Sequence, residues 1–165
     1  MVVGLVSDSS PILPIPPLDV EFDVVAPVEH AFHMFVGRPL LWWPVAHTIS
    51  GAPAAIVIEP HVGGRIFERG ATGEEFDWGE VLRWDPPHGV GFLWHLFFPP
   101  AEATHVEVSF KPTAAGTLVH LRQTGWERLG DQGETRRERT VQGWATVTKP
   151  YRDLFSLHER PTNAR

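Results

Sequence analysis

Residues 63–94, GGRIFERGATGEEFDWGEVLRWDPPHGVGFLW, hold short apolar and aromatic runs cut at close intervals by turn chemistry. Gly63 and Gly64 open the stretch, Gly70-Ala71-Thr72-Gly73 reverses it, and Asp85-Pro86-Pro87-His88-Gly89 reverses it again. Glycine admits the positive φ of a tight turn and proline presets the first turn residue. The stretch therefore predicts three consecutive antiparallel strands. Such a meander has an apolar face, and the rest of the chain must cover it.

The flanking segments supply more strands and the cover. LDVEFDVV, residues 18–25, alternates with Leu18, Val20, Phe22 and Val24 on one face and acidic residues on the other, as a half-buried strand does. Pro27 then opens a helical spacing of Val28, Ala31, Phe32 and Phe35 that Gly37 ends. A second short helix is expected over Pro39 to Trp43, with one ring of the Trp42-Trp43 pair in the core and the other at a rim. Strands follow at AAIVIE, HVEVSF and TLVHLRQT, and from about Gly133 apolar residues recur three or four apart as far as His158. Pro150 lies inside that pattern. An interior proline costs about 3 kcal/mol or more, so a kink or break is expected near Lys149. The order predicts an α+β fold: a curved antiparallel sheet wrapped around a long C-terminal helix, with two short helices after the first strand. Residues 1–17, with four prolines from Pro11 to Pro17, read as a Pro-rich flexible arm of locally stiff chain, residues 18–158 as the domain, and residues 159–165 as a frayed tail.

A net charge of −6 with both signs mixed along the chain argues against a nucleic-acid or anionic-membrane surface. The run Arg136, Arg137, Arg139, interrupted by Glu138, reads as a solvated helix face. With no cysteine there is no disulfide, thiolate ligand or cysteine nucleophile, and a cytoplasmic location is the expectation. His30 and His33 share a helix face, but no partner completes a metal site, and no phosphate loop or dinucleotide fingerprint occurs. No metal or cofactor is expected. Seven tryptophans and ten phenylalanines against one tyrosine imply a broad apolar interior, either a solid core or a lined cavity.

The segments APVEHAFHMF, LLWWP, EPHVGGRIFE, DWGEVLRWDPPHGVGFLW, VEVSFKP and GTLVHLRQTGWERLG resemble, in order, the Bet v 1-like or START (SRPBCC) superfamily with its helix-grip fold. Within it they resemble the branch related to the activator of Hsp90 ATPase. The resemblance implies a cavity between sheet and helix that takes hydrophobic ligands such as lipids, hormones or polyketides. FVGRPLLWWP, VGGRIFE and GWERLG look especially like the calicheamicin type of enediyne self-resistance protein. That type sacrifices a backbone glycine to the drug's diradical, and Gly116 in the loop KPTAAG stands at about the corresponding place. The chain departs from the family pattern after Gly143-Trp144, where Ala145 replaces the usual proline.

If the apolar strand faces are concave, the cavity wall comprises Trp43, Trp78, Phe92, Trp94, Val106, Val108, Phe110, Val119 and Leu121, with Trp144, Val147, Tyr151 and Phe155 from the helix. A filled core is the competing reading, since aromatics at strand spacing usually pack. Among polar residues, Glu68 and Gln123 fall at inward positions, and Glu80 shares the parity of Phe76, Trp78, Leu82 and Trp84. A cavity-facing Glu68 or Glu80 would have a raised pKa and could act as acid or base. The alternative is an ion pair with Arg65, Arg69 or Arg83 beside a bulge at Gly79.

The first functional reading is sequestration of an aromatic or polycyclic small molecule, with Tyr151, Gln123 and one glutamate orienting its polar edge. The second is a polyketide cyclase or dehydratase using Glu68 or Glu80, and the third an interaction module resembling the Hsp90 activator. No particular protein partner is named by the residues.

Overall fold

The computed structural model describes residues 13–156. Alternating segments become seven strands: β1 (Leu18–Val24), β2 (Pro53–Ile58), β3 (Arg65–Gly70), β4 (Glu75–Asp85), β5 (Gly89–Trp94), β6 (Thr104–Pro112) and β7 (Thr117–Thr124). They form one antiparallel sheet in the order β1-β7-β6-β5-β4-β3-β2. Only the step from β1 to β2 leaves the meander. It carries α1 (Val28–Gly37) and two 3-10 turns, Pro39–Leu41 and Val45–His47. The sheet curls around α2 (Gly133–Ser156), 24 residues or about 36 Å of helix. The helix-grip expectation holds.

The helix α2 turns Trp144, Val147, Thr148, Tyr151 and Phe155 into the sheet. It runs unbroken through Pro150, where the sequence predicts a kink or break. The carbonyl that proline deprives of a partner belongs to Thr146, on the exposed side of the helix where water can serve it. Packing of Val147, Tyr151 and Phe155 on the other side holds the helix across the gap. The ends of the expected arm and helix, residues 1–12 and 157–165, lie outside the described residues. Near the arm's end, Ile15 packs on the core and Arg137 donates to the Pro16 and Pro17 carbonyls at 2.7 and 2.8 Å.

β4 departs from simple alternation. Its register slips by one residue at Trp78 against β3 and again at Leu82 against β5. Each bulge resets the parity, so Trp78, Val81 and Trp84, three apart, point inward. Leu82 is thereby turned out to solvent. At Gly79 a Cβ would collide with the Leu93 carbonyl, so the first bulge requires glycine. Among the described residues no helix is long and apolar enough to cross a membrane.

Candidate functional site

The interior has two ends. At one, Tyr151 is fully buried among Phe22, Phe35, Trp42 and Phe155, with ring centroids 5.0–5.9 Å away. Its hydroxyl donates to the Ala31 carbonyl of α1 at 2.6 Å. Burial pushes its pKa far up, so it stays a neutral phenol. Phe110, Val119, Leu121 and Phe155 share this solid region. These residues, with Tyr151, were expected to line a cavity; Phe110, Val119, Leu121 and Tyr151 are instead packed in the core, and Phe155 reaches a separate surface pocket beside Val24 and Arg152.

In the middle, Phe92, Val106, Val108 and Trp78 surround a void of about 20 Å3. That is room for one water at most. At the other end lies a cavity of about 220 Å3, open to solvent. Its floor is Trp43, Trp94 and Trp144, mutually 5.7–6.0 Å apart, which also roof the small void. Both Trp42 and Trp43 are buried, so neither is the exposed rim residue expected. Trp42 packs at the solid end and Trp43 at the open one.

Several elements build the open end, which Trp43 and His47 of the β1–β2 connection, Trp94 of β5 and Trp126 after β7 also line. Helix α2 contributes Arg136, Arg139, Thr140, Gly143, Trp144 and Val147, whose spacing of three and four puts them on one face. β6 and β7 contribute Thr104 and Gln123. The connection from β5 to β6 contributes His95, Leu96, Phe97 and Phe98. Gln123 is 2% exposed yet satisfied: its Oε1 accepts from the Trp144 indole at 2.6 Å and its Nε2 donates to Thr104 Oγ1 at 2.7 Å. This relay fixes the tilt of Trp144 and spends one of the two amide N–H groups. Phe97 stands at φ 69°, a conformation costing a non-glycine residue about 1–2 kcal/mol. Phe97 and Phe98 are both exposed at the mouth.

The basic run is a solvated face only at Arg139. Arg136 keeps 13% of its side chain exposed, pairs with Glu102 at 3.2 Å and lies 3.3 Å from the centroid of the Phe98 ring. Burial lowers its pKa and Glu102 offsets part of that. Composition hid this arrangement because Glu102 and Phe98 lie more than thirty residues away.

Glu68 points inward as expected and Glu80 does not, and neither lines the open cavity. Glu68 is fully buried, but its oxygens accept the Ile49 and Ser50 backbone N–H groups at 2.8 and 2.6 Å and the Trp78 indole at 2.9 Å. Burial alone would raise its pKa; these donors and the Ser50 side chain outweigh it and hold the carboxyl below its ordinary range. It is an anchor for the chain after the Val45–His47 turn, with neither a raised pKa nor an arginine partner. Arg65 and Arg69 pair instead with Glu75 and Asp77, and Arg83 with Asp85 and Glu107. Glu80 is exposed on the outer face, turned there by the bulge before it. Gly116 lies at the opposite end of the β6–β7 hairpin from Gln123, on the order of 20 Å along the strand. A side chain there would strike the Val24 carbonyl, which accounts for glycine at that position.

Of the expected lining residues the structure brings Trp43, Trp94, Gln123, Trp144 and Val147 to the open cavity. His47, His95, Phe97, Phe98, Trp126, Arg136, Arg139 and Gly143 were missed. The spacing of Arg136, Arg139, Gly143, Trp144 and Val147 on one helix face was the available signal. Among the described residues no group of three or more His, Asp or Glu could hold a metal.

An aromatic-floored pocket between a curled antiparallel sheet and its long helix defines a helix-grip protein. The family model described as "Activator of Hsp90 ATPase homolog 1-like protein" matches residues 25–154, and the chain belongs to that family. Among solved structures it is similar to an anthrahydroquino-γ-pyrone synthase, Txn09, complexed with a molecule designated SUM, at 32% identity and TM-score 0.59, covering 87% of this chain and 99% of that one. It shares its fold with protein MLL2253 from Mesorhizobium loti, at 20% identity and TM-score 0.64, covering 88% and 100% of the two chains. It also shares it with an AHSA1-like protein from Aeromonas hydrophila, at 15% identity and TM-score 0.63, covering 91% and 99%. Comparison with curated proteins gives no match.

Proposed function

We propose that the chain binds a compact aromatic or polycyclic small molecule in the open cavity, with the rings on the tryptophan floor and out of water. The observation that carries this is the contrast in filling: about 220 Å3 over three tryptophans, against about 20 Å3 on the other side of the same rings. The volume is below the roughly 300–1,000 Å3 of typical ligand pockets, so a large guest would protrude through the mouth. Likeness to a synthase of a fused aromatic product, solved with a bound molecule, supports an aromatic guest. The free N–H of the Gln123 amide is the polar group suited to orient it. An enediyne guest in this cavity would not reach Gly116, which lies at the far end of the β6–β7 hairpin.

The same likeness favours a second reading, ring closure of a polyketide. The proton carrier would be His47 or His95 at the cavity, since Glu68 is held ionised and Glu80 faces out. Calorimetric titration with neutral fused-ring aromatics, sterols and fatty acids tests the binding reading. Saturable binding confined to the aromatics is expected, and no binding by any compound would refute it. Conversion of an open-chain aromatic polyketide that is lost in a His47→Gln or His95→Gln variant would replace sequestration with catalysis.

A further inference from the structure

The floor and the mouth of the cavity differ in charge. The floor is indole and amide. The mouth carries Arg136, Arg139, His47 and His95, and among the described residues no carboxylate lines the cavity. Two arginines at such a mouth, in a chain of net charge −6, do not follow from composition. Arg136 is committed, paired with Glu102 and set against Phe98. Arg139 is different: it is exposed, lines the cavity, and among the described residues has no carboxylate within ion-pair distance. It lies one helical turn before Gly143, where a Cβ would meet nothing within 4 Å. Arg139 and Gly143 thus line the same cavity from successive turns of α2.

We infer that the guest is an acidic aromatic, carrying a carboxylate or an ionised phenol or enol at its solvent edge, and that Arg139 receives this oxygen beside Arg136. The inference rests on the cavity being the site of an aromatic guest. The division of labour follows from solvation. The tryptophans remove the rings from water, whereas a buried anion would cost several kcal/mol unless paired. An anion left at the mouth keeps part of its hydration and gains a planar fork of donors that fits two oxygens at once.

The test is calorimetric titration of the whole chain with naphthalene carboxylate and its neutral isostere, naphthalene carboxamide, using wild type and Arg139→Gln. Wild type should bind the carboxylate about tenfold more tightly, the usual yield of one charge-assisted hydrogen bond. Arg139→Gln should abolish that preference, weakening the carboxylate far more than the carboxamide; added salt should shrink it in wild type. Equal wild-type affinity for the two compounds, or a preference undiminished in Arg139→Gln, would overturn the inference while leaving an aromatic site intact. Binding of neither compound would overturn the inference and the aromatic-site reading together. Loss of fold is separable, because Arg139 is exposed and circular dichroism reports the helix directly.

Discussion

The solid end around Tyr151 and the open end around Trp144 are built from the same materials, yet only one has room for a guest. Both have rings about 5–6 Å apart and a buried polar group that is hydrogen-bonded. They differ in what lies over the rings. Over Tyr151, α1 is close enough for its Ala31 carbonyl to take the phenol proton. Over Trp144 the cover among the described residues is looser: the β5–β6 connection, His47, Trp126 and a stretch of α2 interrupted by Gly143. Aromatic content therefore does not make a cavity; the cover and one absent side chain do.

The largest expected effect would break this comparison if it appeared at both ends. Phe110→Ala at the solid end should cost about 3–5 kcal/mol in urea denaturation. Trp94→Ala, at a half-buried floor position, should cost clearly less while removing aromatic binding. Equal costs would mean that the open end is as tightly packed as the closed one.

Glu68→Gln comes next. Losing the charge-assisted bonds to Ile49, Ser50 and Trp78 should cost about 1.5–3 kcal/mol, with guest affinity retained because the carboxylate does not line the cavity. The folded pKa of Glu68 is depressed, so its contribution is present above the unfolded-state pKa and is lost as pH falls through the folded one. The stability gap between wild type and Glu68→Gln should thus be full at neutral pH and close below about pH 4. A gap that widens on acidification would mean the carboxyl is held protonated.

The smallest effect sharpens the contrast most. Gly143→Ala puts a methyl group into open space on a helix and should raise stability by about 0.5–1 kcal/mol. Gly143→Leu should fold equally well and occupy the guest's place.

What the sequence made legible follows from how local each cause is. Strands β1, β6 and β7 could be read because alternation is a property of the strand itself, and the register Val108↔Leu121 agrees with both patterns. In β4 the parity fails after Trp78, since a bulge is decided by the partner strand, and Glu80 and Leu82 were placed inward for that reason. Gly79 was the visible sign. Arg136 looked solvated because its cover, Glu102 and Phe98, comes from a connection without periodicity. Tyr151 was assigned to a ligand because its partner is a backbone carbonyl 120 residues away, which no side-chain pattern announces.

The central claim is that the guest sits over Trp144 in the space Gly143 leaves. A proton–nitrogen NMR titration of wild type and Gly143→Leu with a neutral fused-ring aromatic tests it most directly. Shifts should cluster on the Trp94 and Trp144 indoles and the Gln123 amide in wild type, with none in Gly143→Leu. Shifts centred on the surroundings of Tyr151, or the same shifts in both proteins, would contradict it.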